Sequence, residues 1–479
     1  MPENRPAITI HQLMESESLY QGTLEYLYSF VDYSLSRSFR YSPELFNLER
    51  IQEFLEYLGR PFQFYPVIHV AGTKGKGSVC AMCASALQES GHRVGLYTSP
   101  HLQDYTERIQ LNGIPISHAD LVALVQEVKP YLDKGTKLTT FEITTALGFQ
   151  YFARQEATVV LAEVGLGGRL DATNVVTPIV SVITSISYDH VHILGETLTE
   201  IAQEKAGIIK PGVPVVISPQ IEEARLAIER IAAERSAFLT RVGLDYLYAP
   251  VSHSLRSQSL YVWSASEQPL VDVCLESGDL SDWKPTKLTI PLLGNHQIEN
   301  AATAYATLQV AQERGLSLGD PRSRSQDAIV KGFSEVTWPG RFEVLRSNPP
   351  IIVDCAHNRD SVLKLRLTMD QYFPVQPVYL VFGASEDKDI EGMFAELMPY
   401  VRQMIAVKSF HPRAIEPERL VELAHRFGRP AQVIANVKEA LKKAIHLAGN
   451  KGMVLVTGSI FVAAEARDAW YNQLNLSNP

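Results

Sequence analysis

The segment His69-Val-Ala-Gly-Thr-Lys-Gly-Lys-Gly-Ser78 constrains this chain more than any other stretch. The apolar run Pro66 to Ala71 predicts a strand, glycines at 72, 75 and 77 turn the chain, and Val79 to Gly91 predicts a helix that stops at a glycine. A strand running through such a turn into a helix builds an anion cradle. Backbone without side chains lets amide N–H groups approach phosphate oxygens at the positive end of the helix. Lys76 is then placed to neutralise β/γ-phosphate charge and Ser78 to approach a magnesium ion. Gly77 stands between that lysine and the hydroxyl, a departure from the common phosphate loop that argues against a plain kinase or GTPase.

The neighbouring sequence supplies the sheet such a loop needs. Arg93 to Tyr97, Ala157 to Val164, Ile179 to Ser187 and Pro214 to Ser218 are short runs apolar enough to lie inside a parallel sheet covered on both faces. Between Ser252 and Thr289 the texture changes. Leu260 to Trp263, Val271 to Leu275 and Lys287 to Leu293 predict three short strands of a small antiparallel addition. A second alternating series follows Trp338, with strands expected at Ile351 to Asp354, Val378 to Phe382, Met404 to Val407, Gln432 to Ala435 and Met453 to Val456. Its helices include Pro417 to Phe427 and Val437 to Ala448. The expected fold is α/β. Residues 1–337 form an N-terminal P-loop ATPase-like domain, with an N-terminal extension, a mostly parallel sheet and the antiparallel addition; residues 338–479 form a smaller Rossmann-like domain.

Composition narrows the class. A formal net charge of -9 argues against nucleic acid or an anionic membrane as the main partner. Met1 to Phe30 carries no secretory pattern and no long apolar run occurs, which points to a cytoplasmic enzyme acting on small molecules. Cys80 and Cys83 form a C-x-x-C without a second ligand pair, so they read as small apolar residues on a buried helix.

The loop Val70 to Ser78 resembles the nucleotide loop of folylpolyglutamate and dihydrofolate synthases, within the Mur ligase superfamily. Further blocks follow in that family's order: Thr98 to Leu102 with Glu107 to Ile109, Thr139 to Glu142, Glu163 to Asn174, Asp189-His190 and Glu204 to Pro211. Later come Gly294 to Gln297 with Asn300, Trp338 to Glu343 and Asp354 to Asn358. The resemblance implies ATP-dependent addition of L-glutamate to the γ-carboxylate of tetrahydrofolate, and to dihydropteroate, through an acyl-phosphate. It implies that Thr73, Lys74, Gly75, Lys76, Gly77 and Ser78 cradle the nucleotide together with Asn300, Arg341 and Asp354, and that Ser99, Glu163 and His190 hold Mg2+. It further implies a carbamylated Lys205, a monovalent cation, and a monomer. The pterin would lie against Thr139, Phe141, Leu170, Asp171 and Ala172, with a lip at Glu44 to Phe46 that matches the family poorly. His357 and Ser459 would position the incoming glutamate, and Lys76, Lys205, Arg341 and His357 form the expected catalytic set.

Physical chemistry leaves some of these readings two-sided. Glu163 ends an apolar strand, where it either faces the ligand crevice at the carboxyl edge of the sheet or pairs with a nearby cation. His190 is expected to end the next strand in the same way. Phe141 offers a flat face to a heteroaromatic ring or packs in the core. Lys205, without the resemblance, is an ordinary exposed helix lysine. Two alternatives to the folate reading are a Mur-type ligase acting on another carboxylate and a P-loop NTPase switch.

Overall fold

The expected first strand forms as β1 (Val67–Ala71) and is buried along its whole length, because parallel neighbours flank it on both sides. In this computed structural model the described residues are 10–31, 47–135, 137–278, 283, 285–318 and 325–474, so the expected lip at Glu44 to Phe46 lies outside them. The first sheet continues with β2 (Val94–Tyr97), β3 (Ile109–Leu111), β4 (Ile114–Pro115), β5 (Val159–Glu163), β6 (Val180–Ile183), β7 (Val215–Ile217) and β8 (Leu239–Arg241). Their order is β4-β3-β2-β5-β1-β6-β7-β8, parallel except for the β3–β4 hairpin at one edge. That hairpin turns through Asn112-Gly113, both at positive φ (51° and 72°), as a two-residue turn matched to strand twist requires.

Helices cover both faces. Lys76–Glu89 and Asn295–Glu313 share one core with the sheet, and Thr140–Arg154 packs into another on the opposite side. Cys80 and Cys83 are buried free thiols within the first of these cores, as their spacing suggested.

The antiparallel addition is present as β9 (Tyr246–His253), β10 (Gln258–Ser264) and β11 (Thr286–Ile290), in the order β11-β10-β9. The expected strand at Val271 to Leu275 is instead part of a helix, Gln268–Ser277. Pro269 sits in its first turn and Gly278 follows its end at φ 71°, while Val271 and Cys274, one turn apart, both pack on Trp283. The third strand is β9, which sequence reading missed; it lies at the sheet edge, where Pro250 is tolerated. Leu255, between β9 and β10, packs into the core of the second domain, and His253 meets Tyr372 there edge-on at 5.2 Å.

The second sheet holds β12 (Glu343–Ser347), β13 (Pro350–Val353), β14 (Val378–Phe382), β15 (Val401–Ala406), β16 (Ala431–Val433) and β17 (Met453–Thr457). Its order is β12-β13-β17-β14-β15-β16, all parallel except the edge strand β12, with a core on each face. Among the described residues no helix is long and apolar enough to cross a membrane.

The junction of β1 with its loop is the tightest point of the first sheet. Gly72 lies at φ 148°, and a Cβ there would fall 1.8 Å from Thr184 Oγ1. Gly72→Ala is expected to lower unfolding free energy by about 1–3 kcal/mol through overpacking, read as a lower urea midpoint at unchanged slope.

Candidate active site

β1 ends where β6 ends beside it, and the two exits are bonded together. Thr73 and Lys74 both donate their amides to the carbonyl of Ser185, at 2.9 and 3.1 Å. Thr73 Oγ1 also donates to Ser187 O and accepts from Ser187 N, both at 3.2 Å. Two amides expected to face phosphate are therefore committed to protein. The amides left open to an anion are those of Lys76, Gly77 and Ser78, since the helix begins at Lys76 and its first turn has no intrahelical acceptors. Gly75, at φ 92°, lies against Asn300, whose Oδ1 would be 2.3 Å from a Cβ there. Asn300 is held in place by Gln297 Oε1 at 3.0 Å. On the far side Gly77 abuts the Trp338 indole.

Glu163 is the last residue of β5 and is 5% exposed. Its Oε2 accepts from Ser99 N at 3.3 Å, and Oε1 lies 3.8 Å from Lys76 Nζ. Burial pushes its pKa above the ordinary value; Lys76, the Ser99 amide and Arg341 oppose that without cancelling it. The nearby cation of the second reading is Lys76, and the carboxylate stands at the carboxyl end of β5. An under-compensated carboxylate whose neighbour in space is a serine is an oxygen donor suited to a hard cation, and Mg2+ fits it. Among the described residues no group of three His, Cys, Asp or Glu side chains converges on one point.

His190 does not end a strand. β6 stops at Ile183, and the chain then runs past the phosphate loop, bonded to it through Ser185 and Ser187. His190 follows at φ 51°, capping the short helix Val191–Leu194, with a side chain 41% exposed. The structure thus brings Ser99 and Glu163 together and places His190 on a more open shoulder.

Lys205 lies in the expected helix, Leu198–Ala206, but is only 5% exposed. Its Nζ donates to Gly72 O at 3.0 Å. Burial, reinforced by the charge of Lys76, pulls its pKa down to about 7. An exposed helix lysine is thereby excluded.

The glycine-rich loop after β5 is organised from within. Asp171 Oδ2 accepts from the amides of Gly165 (3.0 Å) and Leu166 (2.9 Å), and Oδ1 accepts from Thr173 N (3.0 Å) and Thr173 Oγ1. Its carboxylate therefore shapes the loop, where sequence reading had it reaching a ligand. Thr173 in turn receives the Nε2 hydrogen of buried His69 at 2.8 Å, a strut from the middle of β1 to which sequence reading gave no role. Leu170 is partly buried and Ala172 buried beside it. Thr139 caps Thr140–Arg154, exchanging bonds with Glu142 at 3.1 and 2.7 Å. Phe141 packs its ring 6.2 Å from Tyr97 and against Gly165, as the packing reading had it, and stays partly exposed.

The second domain presents its loops to this edge. Asp354 is saturated by the amides of Phe342 and Ala356, both at 2.7 Å, so it too supports backbone. Arg341, beside it, bonds Gly340 O at 3.1 Å and lines a cleft of about 420 Å³ with Pro100, His101, Trp338 and Arg467. His357 Nδ1 donates to Cys355 O at 2.9 Å, leaving its Nε2 lone pair toward Lys74 Nζ at 3.5 Å. Burial, with Lys74 next in effect, pushes its pKa down to about 3. Ser459 caps Ile460–Ala469 by accepting from Phe461 N at 3.2 Å. Lys74 points away from the other loop lysine, to Asp189 at 2.9 Å. Asp189, Asn358 and Lys388 form a cluster around it that had no assigned part; the sequence signals were the Asp189-His190 pair and the block ending at Asn358.

Residues 70–308 match the Mur ligase middle domain and residues 340–460 the Mur ligase glutamate ligase domain. Fold, phosphate loop and these two domains define an ATP-dependent ligase. A Bacillus subtilis protein named dihydrofolate synthase/folylpolyglutamate synthase is 35% identical over 431 residues, covering 88% of this chain and 94% of that one. Among solved structures, a Mycobacterium tuberculosis folylpolyglutamate synthase complexed with ADP superposes with a TM-score of 0.81 at 30% identity, covering 95% of this chain and 99% of the other. An Escherichia coli structure in complex with DHPP and ADP gives 0.78 at 30% identity, with 95% and 98% covered. The chain belongs to the folylpolyglutamate/dihydrofolate synthase family of the Mur ligase superfamily.

The buried amine of Lys205 makes stability depend on pH. Its folded value of about 7 lies below the 10.5 of a free lysine, so the unfolded chain binds more protons between those limits and stability rises with pH across them. In CO2-free buffer Lys205→Met is expected to raise the urea midpoint most below about pH 7, the gain fading toward about pH 10.

Proposed function

We propose that this enzyme adds L-glutamate to the γ-carboxylate of a reduced folate, and to dihydropteroate, using ATP. The first working unit spans residues 1–337 and the second 338–479. The observation that carries the reading is the meeting of one loop's two lysines with two different partners. Lys76 faces the Glu163 carboxylate at 3.8 Å, while Lys74 reaches His357 of the second domain at 3.5 Å. Nucleotide handling and the amine-bearing domain thus converge on one edge of the first sheet.

In this reading the first-turn amides of Lys76, Gly77 and Ser78, the Lys76 ammonium and Asn300 hold the nucleotide, and Arg341 clamps the transferring phosphoryl group. Mg2+, when bound at Ser99 and Glu163 with His190 nearby, offsets charge developing on the phosphate oxygens. A substrate carboxylate oxygen attacks the γ-phosphorus and ADP leaves. The glutamate α-amine, oriented from the His357 and Ser459 side, then attacks the acyl carbon; the C–N bond forms, phosphate departs and the nitrogen loses a proton. The protein supplies no nucleophile, only alignment and exclusion of water. The pterin rests on the loop that Asp171 shapes, between Leu170, Ala172, Thr139 and Phe141.

Lys205 enters as a site of carbamylation. Attack on CO2 requires a neutral amine, and a pKa of about 7 leaves a large neutral fraction at physiological pH. The neutral amine and CO2 would give a carbamate and release one proton, placing an anion beside Lys76. Incubation with ¹³C-bicarbonate is expected to produce one carbamate carbon resonance, absent from Lys205→Met; a spectrum without it removes this element.

The test of the main reading is phosphate release and product mass, with tetrahydrofolate plus glutamate and dihydropteroate plus glutamate offered separately. Each pair is expected to yield one added glutamate per phosphate. Glu163→Gln and Lys76→Met are expected to lower kcat by about 10²–10³-fold while melting as cooperatively as the native enzyme. ATP turnover indifferent to both pterins would favour the NTPase switch.

A further inference from the structure

We propose that Asp189 is a closure node, a positioning residue that grips the phosphate loop and the second domain with one carboxylate and so couples nucleotide handling to glutamate use. The inference rests on the ligase reading above and adds to it a residue that holds the two halves of the site in register.

Asp189 stands on the segment after β6, its side chain 11% exposed. Oδ2 receives Lys74 Nζ at 2.9 Å from the phosphate loop and Asn358 Nδ2 at 2.8 Å from the loop after β13. Oδ1 lies 3.5 Å from Lys388 Nζ, on the loop after β14. Three loops from two domains therefore meet on one carboxylate. Lys74 and Lys388 are themselves 15% and 14% exposed, so neither is a solvated surface cation. Lys388 is shared with Asp387 at 3.6 Å, and Lys364 reaches Ser185 Oγ at 3.4 Å, adding a second cross-domain bond beside the first.

The backbone explains why Lys74 is available for this. Its amide is pinned to Ser185 O, which sends its side chain toward Asp189 while Lys76 turns toward Glu163. One loop thus contacts nucleotide chemistry through one lysine and the position of the second domain through the other. When that domain swings away, Asp189 loses Asn358 and Lys388, and water gains access to an acyl-phosphate formed on the first domain. Closure held by Asp189 keeps phosphate release tied to product.

Asp189→Asn keeps the size of the side chain and removes its charge. The KM for glutamate is expected to rise at least about tenfold and phosphate released per product to exceed one, while AMPPCP affinity measured without glutamate stays within about twofold. Lys74→Met is expected to uncouple in the same way, and the double variant to be little worse than either single one. Solution scattering with AMPPCP, folate and glutamate bound provides a readout independent of turnover: the native enzyme contracts, and Asp189→Asn stays expanded with a native near-ultraviolet spectrum. The proposal is overturned if Asp189→Asn contracts like the native enzyme, if one phosphate per product is retained, or if the two substitutions act additively. Failure of the native enzyme to make any glutamylated product would instead defeat the ligase reading, and the scattering comparison would still decide the node.

Discussion

The carbonyl of Ser185 accepting the amides of Thr73 and Lys74 is the interaction on which the site depends. It welds the exits of β1 and β6 into one ledge and fixes where the loop can begin to be helical. With two amides spent, the cradle contracts to the first turn of Lys76–Glu89. The same bond sets opposite directions for two lysines that are almost adjacent in sequence, so that a short loop serves two partners. Gly72 is needed because any side chain there would collide with Thr184 on the same ledge.

Around the ledge the protein buries charges it does not fully compensate. Glu163 is held above the ordinary carboxylate range by burial, and Lys205 far below the ordinary lysine range by burial and by Lys76. Burial raises Asp171 and Asp354 as well, but both oxygens of each accept hydrogen bonds from backbone amides, and they serve as internal scaffolding. That difference separates groups poised for a ligand from groups that shape the walls. It is a difference of hydrogen-bond occupancy, and residue type alone does not reveal it.

Much of the fold was legible in the sequence because buried parallel strands are continuous apolar runs. Val378–Phe382 and Val437–Ala448 form with the expected bounds, and Pro417–Arg426 ends one residue earlier than expected. Half-exposed structure was harder. β9 alternates weakly and contains a proline, and Val271 to Leu275 is apolar enough to pass for a strand when only Val271 and Cys274 are buried. Glu163 and Lys76 could be placed from strand and loop signals, and Thr139 through the resemblance. His69 and Asp189 could not: the first sits inside a strand, and the second acquires its partners only when loops distant in sequence meet.

The hairpin tip between β9 and β10 has a mechanical meaning. Leu255 is embedded in the second domain's core and His253 rests on Tyr372, while the chain itself crosses between domains at Trp338, against Gly77. The small antiparallel sheet therefore fastens the second domain at a point far from the linker in sequence, so the placement of its loops over the ledge does not depend on the linker alone.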